Sequence, residues 1–349
     1  FNFATTLVGF MPGGLGHANC VGSLIFAGMS GAAVADAAGL GQVEIKAMDD
    51  AGYDHEFSIA ITAASSTIGP IFPPSIPMVI YGLVGGVSVG RLFLGGVIPG
   101  ILMTGALMAM VAYYAHQRRY PRTPFPTLAG ALQASARAFL PLMTPVILLG
   151  GIWTGWFTPT EAAGVAVGYA LILGTMIYRE LGWKDVLQVF IDSARDTAAL
   201  GFIVAAASFY GWLLMRTGAP AAISNALLGI SQNPLTLLLI INLILLIVGC
   251  FFETIVALLI LGPILLEVTT KVGIDPVHFG VVMVLNLMIG LLTPPFGVVL
   301  FVMQQVGRIS FERVVRATAP FIIPLIVVLA LITVFPPLVT WLPNLAMGK

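Results

Sequence analysis

Two stretches place oxygen atoms where an apolar chain has no water to offer. Gly69-Pro-Ile-Phe-Pro-Pro-Ser-Ile-Pro77 and Gly290-Leu-Leu-Thr-Pro-Pro-Phe-Gly297 each carry Gly-x-x-x-Pro-Pro inside a long hydrophobic segment, 221 positions apart. Proline lacks the backbone donor and breaks a helix. The carbonyls of the opened turn then point into the protein and need partners. A sodium ion suits such oxygens, and the half-helix N-termini beside them favour anionic groups. Ser65, Ser66, Thr67 and Ser75 flank the first break, and Asn286 and Thr293 the second. Ser65 and Asn286 are equivalent at the same offset, which makes them the pair expected to shape ion sites; hydrogen bonding between neighbouring helices is their plainer role.

Acids at membrane depth are expensive and mark functional positions. Asp36 and Glu253 stand in apolar surroundings. Glu253 faces an ion, a substrate or water, or else belongs to a short excursion into the interface. Glu161 follows Pro159 and reads as part of a helix cap with Thr158 or Thr160. Other chemistry finds little support. His17, His55, His116 and His278 lack metal spacing, and there is no Gly-x-Ser-x-Gly elbow, phosphate loop or ATP-binding motif. Asp49-Asp50 has no second acidic pair at membrane depth. Cys20 and Cys250 read as free thiols in apolar packing. The chain is therefore not expected to be an enzyme, and its energy must come from an ion gradient or a partner.

The elements that hold these residues must be membrane helices. Of 349 residues, 58% are hydrophobic and 9% charged, with a mean hydropathy of +1.02; soluble domains carry roughly a quarter charged residues. Fifteen basic residues balance fifteen acidic ones, so no basic field exists for nucleic acid. Segments 13–31 and 32–42 are each short for a span and suggest two arms of a re-entrant hairpin meeting near Ser30-Gly31. The polar stretch 44–56 reads as a surface loop. Segment 57–87 is long enough to cross with an unwound middle. Segment 91–116 is a plain span ending in the basic cluster 116–122, which the positive-inside tendency places in the cytoplasm. Segment 125–140 lies in the interface or joins a span. Spans are expected over 141–156, 162–177, 197–214, 235–249 and 320–339, with a short amphipathic piece at 185–192, an apolar arm at 251–268 and the second broken span at 277–304. Trp153, Trp156 and Trp341 suit interface anchors. Phe1 opens directly into apolar sequence without a Met or a basic signal-peptide n-region, so an upstream part of the protein is expected.

The same offset pairs Gly28 with Gly249, Gly41 with Gly262, Gly52 with Gly273 and Asp54 with Asp275. The matches fall at breaks and turns. Each unit reads as two short arms, a polar loop and a broken span. If 116–122 is cytoplasmic, the first broken span starts inside and the second runs the opposite way, as an inverted repeat requires.

Several motifs, in order, resemble the large membrane subunit of tripartite ATP-independent periplasmic (TRAP) transporters, the DctM or SiaM type. They are Pro12-Gly-Gly-Leu-Gly-His-Ala-Asn19, Ser30-Gly-Ala-Ala-Val-Ala-Asp-Ala-Ala-Gly-Leu-Gly41, Gly69-Pro-Ile-Phe-Pro-Pro-Ser75, Phe157-Thr-Pro-Thr-Glu-Ala-Ala163, Gly273-Ile-Asp-Pro-Val-His-Phe-Gly280 and Asn286-Leu-Met-Ile-Gly-Leu-Leu-Thr-Pro-Pro-Phe-Gly297. The resemblance covers essentially the whole chain. It implies an all-α polytopic membrane protein with inverted structural repeats, re-entrant hairpins and discontinuous transmembrane helices, working as an elevator-type transporter. It implies sodium-coupled import of a small organic acid in a bacterial inner membrane. A periplasmic substrate-binding protein would deliver the acid, and a small four-helix membrane subunit would brace the scaffold among the membrane lipid.

On this resemblance, 1–12 ends an upstream scaffold helix, 13–87 and 235–304 are the two moving halves, and 88–234 and 305–349 are scaffold. The implied sodium ligands are Ser30, Gly31, Ser65, Gly69, Phe72, Pro73, Gly249, Asn286, Gly290, Thr293 and Pro294. Ser66, Pro74, Ser75, Glu253 and Pro295 stand beside them as candidates for substrate or other contacts. The chain departs from the family at Ala32, where Ser is frequent, at Glu253, where Asp is frequent, and at Glu267, where Pro is frequent. The longer Glu253 carboxylate reaches further from the backbone. Other classes stay open on the residues alone: a sodium–dicarboxylate symporter without a binding protein, a channel, or a non-translocating structural subunit. Sialic acid and C4-dicarboxylates are both open as substrates.

Overall fold

The computed structural model describes residues 1–348, and among these every regular element is helical. A short α1 (Asn2–Val8) leads into α2 (Gly14–Ser30). Gly31 closes α2 in the left-handed region with φ 60°, a conformation that glycine adopts without a Cβ penalty. The chain then turns into α3 (Ala33–Ala38) and, after Gly39, α4 (Leu40–Asp50). Helices α5 (His55–Ser66) and α6 (Ile76–Gly85) flank the first break. The long α7 (Val89–Arg118) follows.

Next come α8 (Leu128–Trp153), α9 (Pro159–Ile172) with a π-helical turn at Leu173–Ile177, α10 (Trp183–Arg216) and α11 (Ala219–Ile230). Thr158 caps α9, and the Glu161 carboxylate accepts from the Thr158 backbone N–H at 2.8 Å. Most of α10 faces outwards, with Trp183, Phe202 and Phe209 among its exposed apolar side chains. In a soluble protein such a helix would be a liability; in lipid it is ordinary.

The last part mirrors the first in element order: α12 (Pro234–Gly249), α13 (Thr254–Lys271), α14 (Pro276–Gly290), α15 (Val298–Gly307), α16 (Phe311–Val334) and α17 (Pro337–Met347). Shifting Ala33 and Asp50 by 221 gives Thr254 and Lys271, the two ends of α13. The packing is reciprocal as well. Helix α2 lies on α5 and α12 on α14; α6 packs on α13 and α15 on α3. Among the described residues, six helices are long and apolar enough to cross a membrane: Val89–Arg118, Ala129–Trp153, Pro159–Ile177, Trp183–Leu214, Thr254–Lys271 and Phe311–Val334.

Several expected boundaries are corrected. The stretch 44–56 is not all surface loop: α4 runs to Asp50 and Glu44 is fully buried, because Asn19 supplies a hydrogen bond to its carboxylate. Residues 185–192 and 197–214 belong to one helix, α10, with no proline between them to stop it. Segment 125–140 joins the span α8, whose Pro141 and Pro145 lie within the helix; neighbouring groups in a membrane protein tolerate such prolines. The final span is α16, which ends before Pro336 rather than at 339, and α11 was not anticipated.

Polar ties cross between the two halves at their ends. Tyr81 Oη donates to the Pro276 carbonyl at 2.9 Å. His55 sets Nδ1 2.6 Å from Asp49 Oδ2 and Nε2 2.8 Å from the Gly307 carbonyl. Both partners accept, so an imidazolium with two N–H groups satisfies them together. Partial burial opposes that charge, but the Gly307 carbonyl and Asp49 outweigh it and hold the His55 pKa above 6.5. A raised folded pKa contributes stability that is full below the unfolded value and is lost as pH rises through the folded one. Thermal unfolding should therefore show a midpoint that declines as pH rises above about 6.5, with His55→Gln lacking that decline. The exposed setting keeps the difference below about 1 kcal/mol.

Candidate functional site

Each break lies against the tip of the hairpin that precedes it. At the first, the chain leaves α5 at Ser66 and regains helix at Ile76, with a cis Pro73–Pro74 peptide between. The Gly31 carbonyl accepts from Ile76 N at 3.3 Å. A Cβ on Gly31 would lie 2.6 Å from the Pro74 carbonyl oxygen, and one on Gly69 would lie 3.8 Å from Ala32 N. Ser75 starts α6: its Oγ accepts from Met78 N at 3.2 Å and donates to the Pro70 carbonyl. Ser30, Gly31, Gly69, Pro74 and Ser75 are thus brought together.

At the second break, α14 ends at Gly290 and α15 begins at Val298, with a cis Pro294–Pro295 peptide between. Gly249 and Gly290 meet backbone to backbone; a Cβ on Gly290 would lie 2.5 Å from the Gly249 carbonyl carbon. Phe296 N donates to the Cys250 carbonyl at 3.2 Å. Glu253 caps α13, its Oε2 accepting from Ile255 N at 2.7 Å and Val256 N at 3.3 Å. Of the roles open to it, the observed one is a helix N-cap at the second tip. Pro294, Pro295 and Phe296 are exposed, whereas Pro73 is buried.

Ser65 and Asn286 hold equivalent places and both reach back to the first arm of their own unit. Ser65 Oγ donates to Asn19 Oδ1 at 2.7 Å and accepts from Ser23 Oγ at 3.0 Å. Asn286 Nδ2 donates to the Asn242 carbonyl and to Asn242 Oδ1, each at 2.9 Å. These are helix–helix hydrogen bonds, and they leave Asn286 Oδ1 buried without a partner. Among the described residues, Ser30 Oγ and Thr254 Oγ1, at the two tips, are also buried and unpartnered.

Not every expected residue faces its break. Ser66 Oγ donates to the Ala63 carbonyl at 2.8 Å, and Thr293 Oγ1 to the Ile289 carbonyl at 2.8 Å, so both turn back on their own helices. Phe72 packs on α7, where a Cβ on Gly100 would meet Phe72 Cβ at 3.0 Å. The residues missed in the sequence are Asn19, Ser23, Glu44, Thr62, Asn242 and Thr254. Asn19 sits inside a glycine-rich motif, and Asn242 is a lone amide in an otherwise apolar helix; both are polar signals at membrane depth.

Residues 1–338 match the family described as "Tripartite ATP-independent periplasmic transporter, DctM component". The chain is 48% identical over 348 residues to the sialic acid TRAP transporter large permease protein SiaM of Vibrio cholerae, covering 100% of this chain and 82% of that protein. It is 43% identical over 345 residues to the sialic acid TRAP transporter permease protein SiaT of Haemophilus influenzae, covering 99% of this chain but 56% of that longer protein. It is 38% identical over 368 residues to the C4-dicarboxylate TRAP transporter large permease protein DctM of Vibrio cholerae, covering 99% of this chain and 81% of that protein.

The glycine contact at the second break can be tested by adding one methyl group. Gly290→Ala should lower the thermal midpoint, at a cost of about 1–3 kcal/mol. Gly229→Ala, in α11 with nothing within 4 Å of the added carbon, should leave it unchanged or slightly higher.

Proposed function

We propose, for a chain that belongs to the DctM family of tripartite ATP-independent periplasmic transporters, that it imports an organic acid by sodium-coupled secondary transport. Membership makes it a transport component that crosses the bacterial inner membrane several times, and not an enzyme. The observation that carries the sodium reading is the set of buried oxygens without partners at the breaks and tips: Ser30 Oγ, Asn286 Oδ1 and Thr254 Oγ1. Each such group costs about 1–3 kcal/mol when left unsatisfied. A small cation held among neutral oxygens and the carbonyls of the opened turns would satisfy them.

The proposed motion is of elevator type. Segments 13–87 and 235–304 move together, and 88–234 and 305–349 form the scaffold, with 1–12 attached to it. The reciprocal packing of α6 on α13 and α15 on α3 supports treating the two halves as inverted repeats that travel as one body. A periplasmic binding protein would deliver the substrate and a small four-helix membrane subunit would complete the scaffold. The substrate would be a carboxylate. Sialic acid is the first to test, because two of the relatives are named for it; C4-dicarboxylates follow.

Co-reconstitution of the membrane subunits in proteoliposomes, with the binding protein outside, tests this reading. Uptake should saturate, require an inward sodium gradient and fail with a proton gradient alone. Proton-driven uptake or unsaturable conductance would overturn it. Ser30→Ala adds a sharper prediction. Its hydroxyl has no partner to lose, so the sodium-free thermal midpoint should stay unchanged. The half-saturating sodium concentration should rise by about tenfold, the loss of one ion ligand.

A further inference from the structure

Glu44 is 0% exposed, in α4. Among the described residues its carboxylate has no Lys, Arg or His within salt-bridge distance. Its Oε1 is buried without a partner among the described residues, and a charge there would have no cation to offset it, so what Oε2 touches matters. Its Oε2 accepts from Asn19 Nδ2 at 2.6 Å, and the same NH2 group donates to Thr62 Oγ1 at 2.8 Å. Helices α2 and α4 come close enough for this because Gly22 has no side chain; a Cβ there would lie 3.0 Å from Glu44 Oε1.

These two acceptors fix the Asn19 amide. Its two hydrogens are both used, so its oxygen faces the other way, towards Ser65 Oγ at 2.7 Å. The reversed amide would aim its oxygen at Glu44 Oε2 and Thr62 Oγ1 and its hydrogens at Ser65, giving up both hydrogen bonds its NH2 group now donates. With the amide held, the Ser65 hydroxyl hydrogen goes to Asn19 Oδ1 at 2.7 Å in preference to the more distant Thr62 carbonyl at 3.2 Å, and one lone pair takes the Ser23 hydrogen. The other lone pair stays free. A hydroxyl offers its oxygen to a cation only when its hydrogen is turned away.

We infer that Glu44 is a positioning residue for the first ion site: acting through Asn19, it fixes how Ser65 presents its oxygen and thereby sets sodium affinity. The inference rests on the sodium reading above. The second half lacks the device, since the positions 221 beyond Glu44 and Asn19 are Leu265 and Ile240.

The test measures sodium-dependent uptake by the full reconstituted system. Glu44→Met removes the acceptor at similar volume, Glu44→Gln keeps an acceptor, and Thr62→Val releases the other anchor of the Asn19 amide. Glu44→Met should raise the half-saturating sodium concentration by about tenfold, and Thr62→Val by about threefold. The maximal rate and the substrate KM at saturating sodium should hold, and Glu44→Gln should restore near-normal sodium dependence. If Glu44→Met does not fold, Thr62→Val carries the test. If the variants keep wild-type sodium half-saturation, or lose only maximal rate, the positioning role is overturned and the sodium reading stands. If wild-type uptake ignores sodium, both are overturned.

Discussion

Everything at the centre of this protein depends on backbone meeting backbone where two helices open. Gly31 comes against the Pro74 carbonyl, and Gly249 against Gly290. Neither approach leaves room for a side chain. In lipid, an opened turn is tolerated only where protein or water covers its freed carbonyls, and the hairpin tips are that cover. Proline breaks the helix, glycine lets the tip close over it, and the proposed cation would lie among the enclosed oxygens. Each feature loses its purpose without the others.

The two breaks share a plan but not an environment. The first is enclosed: Pro73 and Ser75 are buried, and Phe72 lies against Gly100 of α7. The second opens outward, with Phe296 57% exposed. Their polar supports differ as well. Ser65 is held by a chain of hydrogen bonds that ends on a buried carboxylate, whereas Asn286 leans on a neutral amide that is itself tied to Thr333 Oγ1 in α16. Under the proposed sodium reading, two sites built this way would hold ions with different affinities.

What the sequence revealed was what residue type alone encodes. Proline and glycine carry their conformational consequences with them, so the breaks at 69–75 and 290–296 and the turn at Gly31 could be read directly. The fixed offset then linked Ser65 to Asn286. The burial of Glu44 could not be read, because it depends on Asn19 and Thr62, which reach it only once α2, α4 and α5 have packed. Polarity around 44–56 therefore looked like a surface loop. The dip in hydropathy near Asp192 to Asp196 looked like a boundary, yet with no breaker the helix α10 runs through it. Glu253 stood out as an acid at membrane depth, but its partners are the backbone donors that start α13, which only the turn geometry exposes.

Hydrogen exchange of the assembled transporter in a lipid nanodisc, compared in sodium and in potassium, tests the central claim most directly. A cation held by the opened turns should slow exchange of the amides at 66–76 and 290–298 in sodium alone, while those of α16 stay as they are. Identical exchange at both breaks in the two salts would contradict the account.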